Sequence, residues 1–261
     1  SYSADAVILA TGGVSYPATG STGDGFRMAA EAGHTVIEPV GSLVPLRAAG
    51  NTCSDLQGLS LRNVELRVFE NRKKIYTDFG EMLFTHFGVS GPLILSASAH
   101  MRHWEKKTYH LEIDLKPALS EEQMDRRLLS DFEKYQNSDF CNALKDLLPQ
   151  KMIGVVVDRS EIPPHQKVHD ITREQRRRLA NLLKGFSVEI AGPMPVETAI
   201  VTSGGVKVSE IDPKTMESKV VKGLYFAGEM IDVDAYTGGF NLQIAWATGK
   251  AAGEAAGNSK G

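Results

Sequence analysis

The chain has 261 residues, 42% of them hydrophobic and 23% charged, and its 29 basic and 32 acidic side chains give a formal net charge of −3. Composition near the globular average excludes wholesale disorder, and near-neutrality supplies no global positive field to hold nucleic acid. No apolar run reaches the ~20 residues that span a bilayer, and Cys53 and Cys141 are too few and too far apart for a disulfide framework or metal knuckle; a cytoplasmic protein with no membrane partner, no nucleic-acid partner and no metal is expected.

The chain begins at Ser1, without Met, and enters an apolar run within a few residues, which reads as a piece of a longer protein. Ala6 to Ala10 is that run, with no alternation, and predicts a strand buried on both faces in a parallel sheet. Ala10-Thr11-Gly12-Gly13 closes it. Small residues at a strand's carboxyl end let a ligand approach the backbone, although a plain tight turn would look the same. Thr22-Gly23-Asp24-Gly25 opens a predicted helix, Asp24 to Ala32, stopped by Gly33. Its first N–H groups could hold an anion; alternatively Asp24 is only the N-terminal cap. Thr35 to Val40 reads as another strand, so residues 1–41 form an α/β unit.

The pattern changes near Ser42. Short β-like stretches follow at Leu43–Leu46, Leu61–Glu70, Lys74–Tyr76 and Tyr109–Leu115, with Asn71-Arg72-Lys73 as a hairpin turn. Ser90-Gly91-Pro92 has the form of a helix start, running from Leu93 to His103. Residues 118–185 are mostly helical by pattern. Ser120 with Gln123 suggests a capping box, and Thr172-Arg173-Glu174-Gln175 begins a later helix. Strand signals return at Ser187–Ile190, Thr198–Thr202 and Leu224–Ala227, and a last helix runs from Gly239 to about Ala256. The organisation is α/β at the ends (1–42 and 200–261) around a different middle (43–199), β-like at about 43–117 and 187–199 and helical at about 118–186.

The strongest chemical signal is near the end. Leu224-Tyr225-Phe226-Ala227 is a short buried strand finished by Gly228-Glu229, and Gly238-Gly239-Phe240-Asn241-Leu242 opens the last helix. An acid at a strand tip accepts hydrogen bonds from ribose-like hydroxyls. A Gly-Gly helix start presents free N–H groups and a positive dipole end. The pair suits a ligand with a polyol chain and a ring that takes up negative charge, as a flavin does on reduction. An ordinary strand-turn-helix is the plain alternative. The full G-x-G-x-x-G fingerprint is absent, since Gly23-Asp24-Gly25 is followed by Met28.

The segments ADAVILATGG, GSTGDGFRMAAEAGH, FTHFGVSGP, VTSGGV, TMESK and GLYFAGEMIDVDAYTGGFNLQIAWATGKAAG, in this order, resemble the HI0933/YhiN-like family of FAD-dependent oxidoreductases. The resemblance implies a partial FAD/NAD(P)-binding, glutathione-reductase-like Rossmann-type domain, α/β in class, interrupted by a β-barrel plus helical insert. It would place Ala10, Thr11, Gly12 and Gly13 beside FAD, Gly228 and Glu229 at its ribityl-pyrophosphate region, and Gly239, Phe240, Asn241 and Leu242 at the isoalloxazine. Asp24 and Gly238 join them as candidate cofactor residues. The family's N-terminal β-α-β unit with the fingerprint is missing here, so this chain alone should bind FAD weakly or not at all.

His86, in Phe84-Thr85-His86-Phe87-Gly88, is a candidate acid or base, since its unperturbed pKa of ~6.5 lies near working pH; a packed histidine at a strand-loop joint is the bland alternative. His165 and His169 could share a helix face, but two prolines precede them and no H-E-x-x-H exists. Arg173, Arg176, Arg177 and Arg178 read as a solvated helix face, or as a site for an NADPH phosphate or an acidic partner. Trp104 and Trp246 should pack. Three functions follow. The first is part of an FAD-dependent oxidoreductase passing a hydride or electron pair between a small organic substrate or NAD(P)H and flavin. The second is a non-catalytic degenerate flavoprotein or partner-binding module. The third, a flavin-dependent RNA-modifying enzyme, is disfavoured by the near-neutral charge. The absence of Cys-x-x-Cys disfavours a disulfide reductase.

Overall fold

In chain order the strands and α-helices are β1 (Val7–Leu9), α1 (Asp24–Glu31), β2 (Val36–Ser42), β3 (Leu46–Ala48), α2 (Thr52–Asp55), β4 (Ser60–Glu70), β5 (Lys73–Phe84), β6 (Gly88–Ser90), α3 (Pro92–Ser98), β7 (Tyr109–Asp114), α4 (Glu121–Lys134), α5 (Phe140–Ala143), α6 (Gln150–Ser160), α7 (Arg173–Lys184), β8 (Phe186–Pro193), β9 (Val201–Val206), β10 (Leu224–Phe226) and α8 (Phe240–Asn258). The computed structural model describes residues 3–258; Ser1, Tyr2 and residues 259–261, the extremes of the α/β segments expected above, lie outside the described residues. The chain divides into two compact units, one made of the segments up to Pro45 and from Pro193, the other of Leu46–Gly192.

The first unit holds two small sheets. β1 runs parallel to β10, with Val7 opposite Leu224 and Leu9 opposite Phe226. β2 runs antiparallel to β9, with Val36 opposite Val206 and Ser42 opposite Val201. The expected α/β unit over residues 1–41 is therefore not one sheet: β2 does not join β1. Burial also differs from expectation. β10 is buried throughout, but Val7 is 48% and Ile8 40% exposed, because β1 has β10 as its sole strand partner among the described residues. α1 buries Phe26 and Ala29 and ends where Gly33, at φ +92°, reverses the backbone, so that the His34 N–H donates to the Ala29 carbonyl (3.0 Å). The N-cap of α1 is Gly23, and Asp24 is its first helical residue, which corrects the capping role offered for Asp24. Gly23 sits at φ +80°, a conformation that costs glycine little and aspartate more.

The second unit is a closed six-stranded barrel in the order β3-β6-β5-β4-β7-β8, with helices packed on it. Inward positions alternate along β4 and β7, burying Val64, Leu66 and Val68, then Tyr109, Leu111 and Ile113, about 1.5–3 kcal/mol for each large side chain. Phe84 and Phe186 meet edge to face inside, centroids 6.5 Å apart. Tyr109, at the barrel's end, donates to the Arg102 carbonyl (2.6 Å); burial pushes its hydroxyl up to about 12. The hairpin turn falls on Asn71 and Arg72, both left-handed, as expected. Ser120/Gln123 and Thr172/Gln175 form complete capping boxes on α4 and α7. α3 stops at Ser98, short of the expected His103. Trp104 packs on Tyr109, but Trp246 is 66% exposed, against expectation: of the described residues of α8, only Ala252 is buried.

Barrel closure through β3 and β6 depends on Gly88. It lies opposite Arg47, and a Cβ there would overlap the Leu46 carbonyl oxygen and the Ala48 nitrogen. Gly88→Ala should cost about 3 kcal/mol, an apparent Tm loss of roughly 6–12 °C at this size. Gly154→Ala, at an exposed position of α6 with open space around it, should instead stabilise by about 0.5–1 kcal/mol. Thermal unfolding of the two variants, followed by circular dichroism, checks both signs.

Candidate functional site

The parallel pairing of β1 and β10 sets their carboxyl ends side by side, and the Ala227 N–H donates to the Leu9 carbonyl (3.0 Å). Ala10 to Gly13 therefore lies next to Gly228 and Glu229. Thr202, from β9, ties the first of these loops down: its Oγ1 accepts from the Val14 (2.8 Å) and Ser15 (3.2 Å) N–H groups. The Thr202 N–H donates to Glu229 Oε1 at 2.5 Å. Gly13 fits in this knot only because it lacks a Cβ, which would overlap the Thr202 hydroxyl and stand 2.8 Å from Glu229 Oε1. Gly25, in the first turn of α1, is pressed against Thr11 in the same way, which brings the start of α1 to the tip of β1. Asp24 stays exposed beside it, accepting from Thr22 Oγ1 (2.9 Å) and pairing with Arg27 (3.5 Å).

The third turn of α8 meets the tip of β10. The Gly228 N–H donates to Thr248 Oγ1 (2.9 Å), fastening the helix to the tip of β10. The loop before α8 is clipped to its first turn by Asn241, whose amide donates to the Ala235 carbonyl (2.7 Å) and whose Oδ1 accepts from the Ala235 N–H (2.9 Å). Asn241 is thus engaged with its own loop. Asp234 accepts from Ser42 Oγ (2.6 Å) and Ser203 Oγ (2.8 Å), anchoring that loop to β2 and β9. Gly238 and Gly239 have φ of +113° and +89°, and nothing lies within 4 Å of a Cβ added at Gly239. Phe240 and Leu242 are exposed. The first helical bond runs from the Gln243 N–H to the Gly239 carbonyl (3.0 Å), so the preceding N–H groups stand outside the intrahelical ladder.

These residues fit part of a dinucleotide cofactor. Two parallel strand tips, an acid, and a glycine-led helix start with N–H groups outside the ladder match the needs of a polyol chain and an electron-accepting ring. The expected residues Ala10, Thr11, Gly12, Gly13, Asp24, Gly228, Glu229, Gly238, Gly239, Phe240, Asn241 and Leu242 belong to one unit and lie after β1, at the start of α1, after β10 and at the start of α8. His86 belongs to the other unit. It sits exposed in the turn between β5 and β6, where the Thr85 N–H donates to the Gly88 carbonyl (2.8 Å), and its ring meets Phe87 edge-on. No acid, base or hydrogen-bond partner faces it among the described residues. His165 faces Asp139 (3.1 Å) and His169 the Gln136 carbonyl (2.8 Å), with no helix carrying both. No group of three or more His, Cys, Asp or Glu that could hold a metal occurs among the described residues. Arg176 pairs with Asp125 (2.7 Å) and Arg178 with Glu161 (3.0 Å).

A Ser–His–acid chain escaped the sequence reading. The buried His34 meets Ser218 Oγ through Nε2 (2.7 Å) and Glu210 Oε2 through Nδ1 (3.1 Å), with Phe226 edge-on at 4.8 Å. It resembles a hydrolase triad but cannot act as one. Ser218 is buried, and its oxygen already accepts from the Val220 (3.0 Å) and Val221 (2.7 Å) N–H groups. With both lone pairs engaged, its hydroxyl donates to Nε2, which leaves Nδ1–H to donate to Glu210. The chain is a tie between the end of α1 and the segment 210–221. His34 lies at least 176 residues from the other two, so no local signal marks it.

Residues 40–201 match the HI0933-like protein barrel and H2TH domain, and the chain belongs to this family, whose barrel corresponds to the closed barrel seen here. The chain is similar to a 3-dehydro-bile acid delta(4,6)-reductase of Clostridium scindens, 31% identical over 98% of this chain and 63% of that protein. It is also similar to the ribosomal RNA dihydrouridine synthases of Haemophilus influenzae (34% identical, 93% of this chain, 58% of that protein) and Escherichia coli (30%, 93% and 58%). The chain spans about three fifths of the length of these curated relatives. Two of the names contain RNA, which runs against the expectation of no nucleic-acid partner drawn from net charge. No helix among the described residues is long and apolar enough to cross a membrane.

Hydrogen bonds from Thr35, and then the contact with His34, hold the Glu210 carboxyl below the usual carboxylate range. A depressed pKa contributes stability that is complete above the unfolded value of ~4.3 and is lost as pH falls through the folded one. The stability difference between the parent and Glu210→Gln should therefore be present at pH 6 and shrink below about pH 4. Urea unfolding across that range measures it.

Proposed function

We propose that this chain forms the ring-and-ribityl half of the FAD site, and the insert, of a flavin-dependent reductase acting on carbon–carbon double bonds conjugated to a carbonyl. The observation that carries the reading is the parallel pairing that sets two strand tips, Ala10–Gly13 and Gly228–Glu229, side by side, with the glycine-led helix α8 fastened to the second tip through Thr248. FAD, when bound, supplies the electron pair as a hydride. The chain's own part is to present backbone N–H groups and the positive end of α8 toward charge on the ring, to offer Glu229 to ribityl hydroxyls, and to hold Glu229 in place through Thr202.

The names of the relatives support the reaction class. The 3-dehydro and delta(4,6) of the first name describe a ketone with double bonds conjugated to it, and uridine's C5=C6 bond is conjugated to its C4 carbonyl. In both, a hydride adds to the carbon remote from the carbonyl, a proton adds to the adjacent carbon, and the π bond is replaced by two C–H bonds. NAD(P)H is the donor we assign for returning the electron pair to the flavin. FAD binding in solution requires, on this reading, the rest of a protein of the relatives' length, where a G-x-G-x-x-G turn would hold the pyrophosphate.

The test is flavin content and turnover. The whole protein should purify yellow or take up FAD, be bleached anaerobically by NADPH or NADH, and be reoxidised by a 3-oxo-Δ4 steroid or by uridine in RNA with a product mass gain of ~2 Da. Glu229→Ala should lower flavin occupancy about tenfold or more, the loss of one charge-assisted contact. This chain alone should show weak FAD binding or none. A whole protein that neither contains nor binds flavin would sink the reading.

A further inference from the structure

We propose that one end of the barrel, built from the β4–β5 turn and the loop preceding β7, docks the phosphodiester backbone of RNA. The inference rests on the reductase reading for what the docking serves, while its charge geometry stands alone. The two segments are clamped together by Asn71. Its Oδ1 accepts from the Thr108 N–H (3.0 Å) and Thr108 Oγ1 (3.1 Å), and its own N–H donates to the Thr108 carbonyl (3.0 Å). The clamp gathers Arg72, Lys73 and Lys74 from the turn with Arg102, Lys106 and Lys107 from the loop.

Two acids stand against these six cations. Glu70 is taken up by Lys107 (2.9 Å) and the Tyr109 hydroxyl (3.1 Å), and Glu105 faces His103 (3.7 Å). Arg72, Lys73, Lys74 and Lys106 are exposed and make no ion pair with any described residue. Elsewhere in this unit several cations are taken up in pairs, as Arg127 is with Asp131 (2.9 Å) and Lys134 with Asp146 (2.6 Å). A net charge of −3 conceals this concentration, because the unit Leu46–Gly192 holds more basic than acidic side chains and the other unit holds the surplus of acids.

Aromatic faces adjoin the cations. Lys74, Phe69 and His110 share one register row across β5, β4 and β7, and the half-exposed Phe69 and His110 rings stack at 4.7 Å and 6°. Cations beside flat ring faces suit phosphates and bases together. A membrane surface would call for an aliphatic anchor as well, and here Met101 is buried and Ile75 half-buried. Two relatives with ribosomal RNA in their names make RNA the occupant to which the proposal commits.

The test is fluorescence anisotropy of the whole protein with labelled 30-nucleotide RNAs, one oligouridine and one hairpin, from 50 to 200 mM salt. Four phosphate contacts carry a log–log salt slope of about −2.8 on a single strand, so about 50-fold of the affinity difference across that range runs through them. R72Q/K73Q/K74Q/K106Q should flatten the slope by about 3, and the charge-reversed R72E/K73E/K74E/K106E should bind more weakly still, with unchanged melting temperatures. R173Q/R177Q on α7 should bind like the parent. Parent-like binding by the turn variants, equal loss in R173Q/R177Q, or binding of phosphatidylserine vesicles without RNA would each overturn the proposal. Flavin content and NADPH-driven reduction of a steroid enone are read on the same variants. If these persist while RNA binding is unaffected by the turn variants, docking alone fails. If flavin is absent while the salt-dependent RNA loss holds, the reductase reading alone fails.

Discussion

β2 meets β9 antiparallel, Val40 opposite Ser203, although the whole barrel-containing unit lies between them in sequence. Closing so long a loop costs chain entropy that grows only slowly with length, and the ladder together with what it positions repays it. Gly204 makes the close approach possible: at φ +94°, its missing side chain leaves room for the Glu38 carbonyl. Gly205 does the same for the Met230 carbonyl. Once β9 is in place, Thr202 reaches the loop after β1, 188 residues away in sequence, and Glu229 at the tip of β10. Ser42 and Ser203 then hold Asp234 between them. The candidate cofactor loops are thus set by one strand pairing acting through serine and threonine hydroxyls.

That construction explains the character of the site. Its polar side chains are largely occupied in holding loops: Asn241 serves the Ala235 backbone, Thr248 the tip of β10, and Thr202 the turn after Gly13. What faces outward is backbone at glycines, one carboxylate with an oxygen to spare, and the start of a helix. Such a site recognises a ligand by shape, dipole and hydrogen-bonding backbone, with the chemistry left to the ligand.

Charge shows how an average misleads. A formal net charge of −3 argues against a polyanion partner for the chain as a whole. Binding is decided by local potential within about a Debye length, ~8–10 Å at physiological salt. Folding the Asn71 turn against Thr108 collects cations from two segments about thirty residues apart, while most acids of the same unit lie in ion pairs elsewhere. The arginine run of α7, which stands out in the sequence, is partly neutralised by Asp125 and Glu161.

Features governed by neighbours within four or five residues were legible from the sequence. The capping boxes at Ser120 and Thr172, the Asn71–Arg72 turn, Pro92 at a helix start, and the glycines at the tip of β10 and before α8 all belong to this class, since the groups that satisfy one another are adjacent in the chain. The motif blocks in their order also sufficed to mark the family. Tertiary structure alone decided which strands pair, that β1 is left with exposed Val7 and Ile8, that Trp246 faces outward, that Gly23 rather than Asp24 caps α1, and that His34, Glu210 and Ser218 form one tie. Those outcomes depend on partners brought from distant segments. An apolar run or a lone histidine reads the same in sequence whether its partner is present or not.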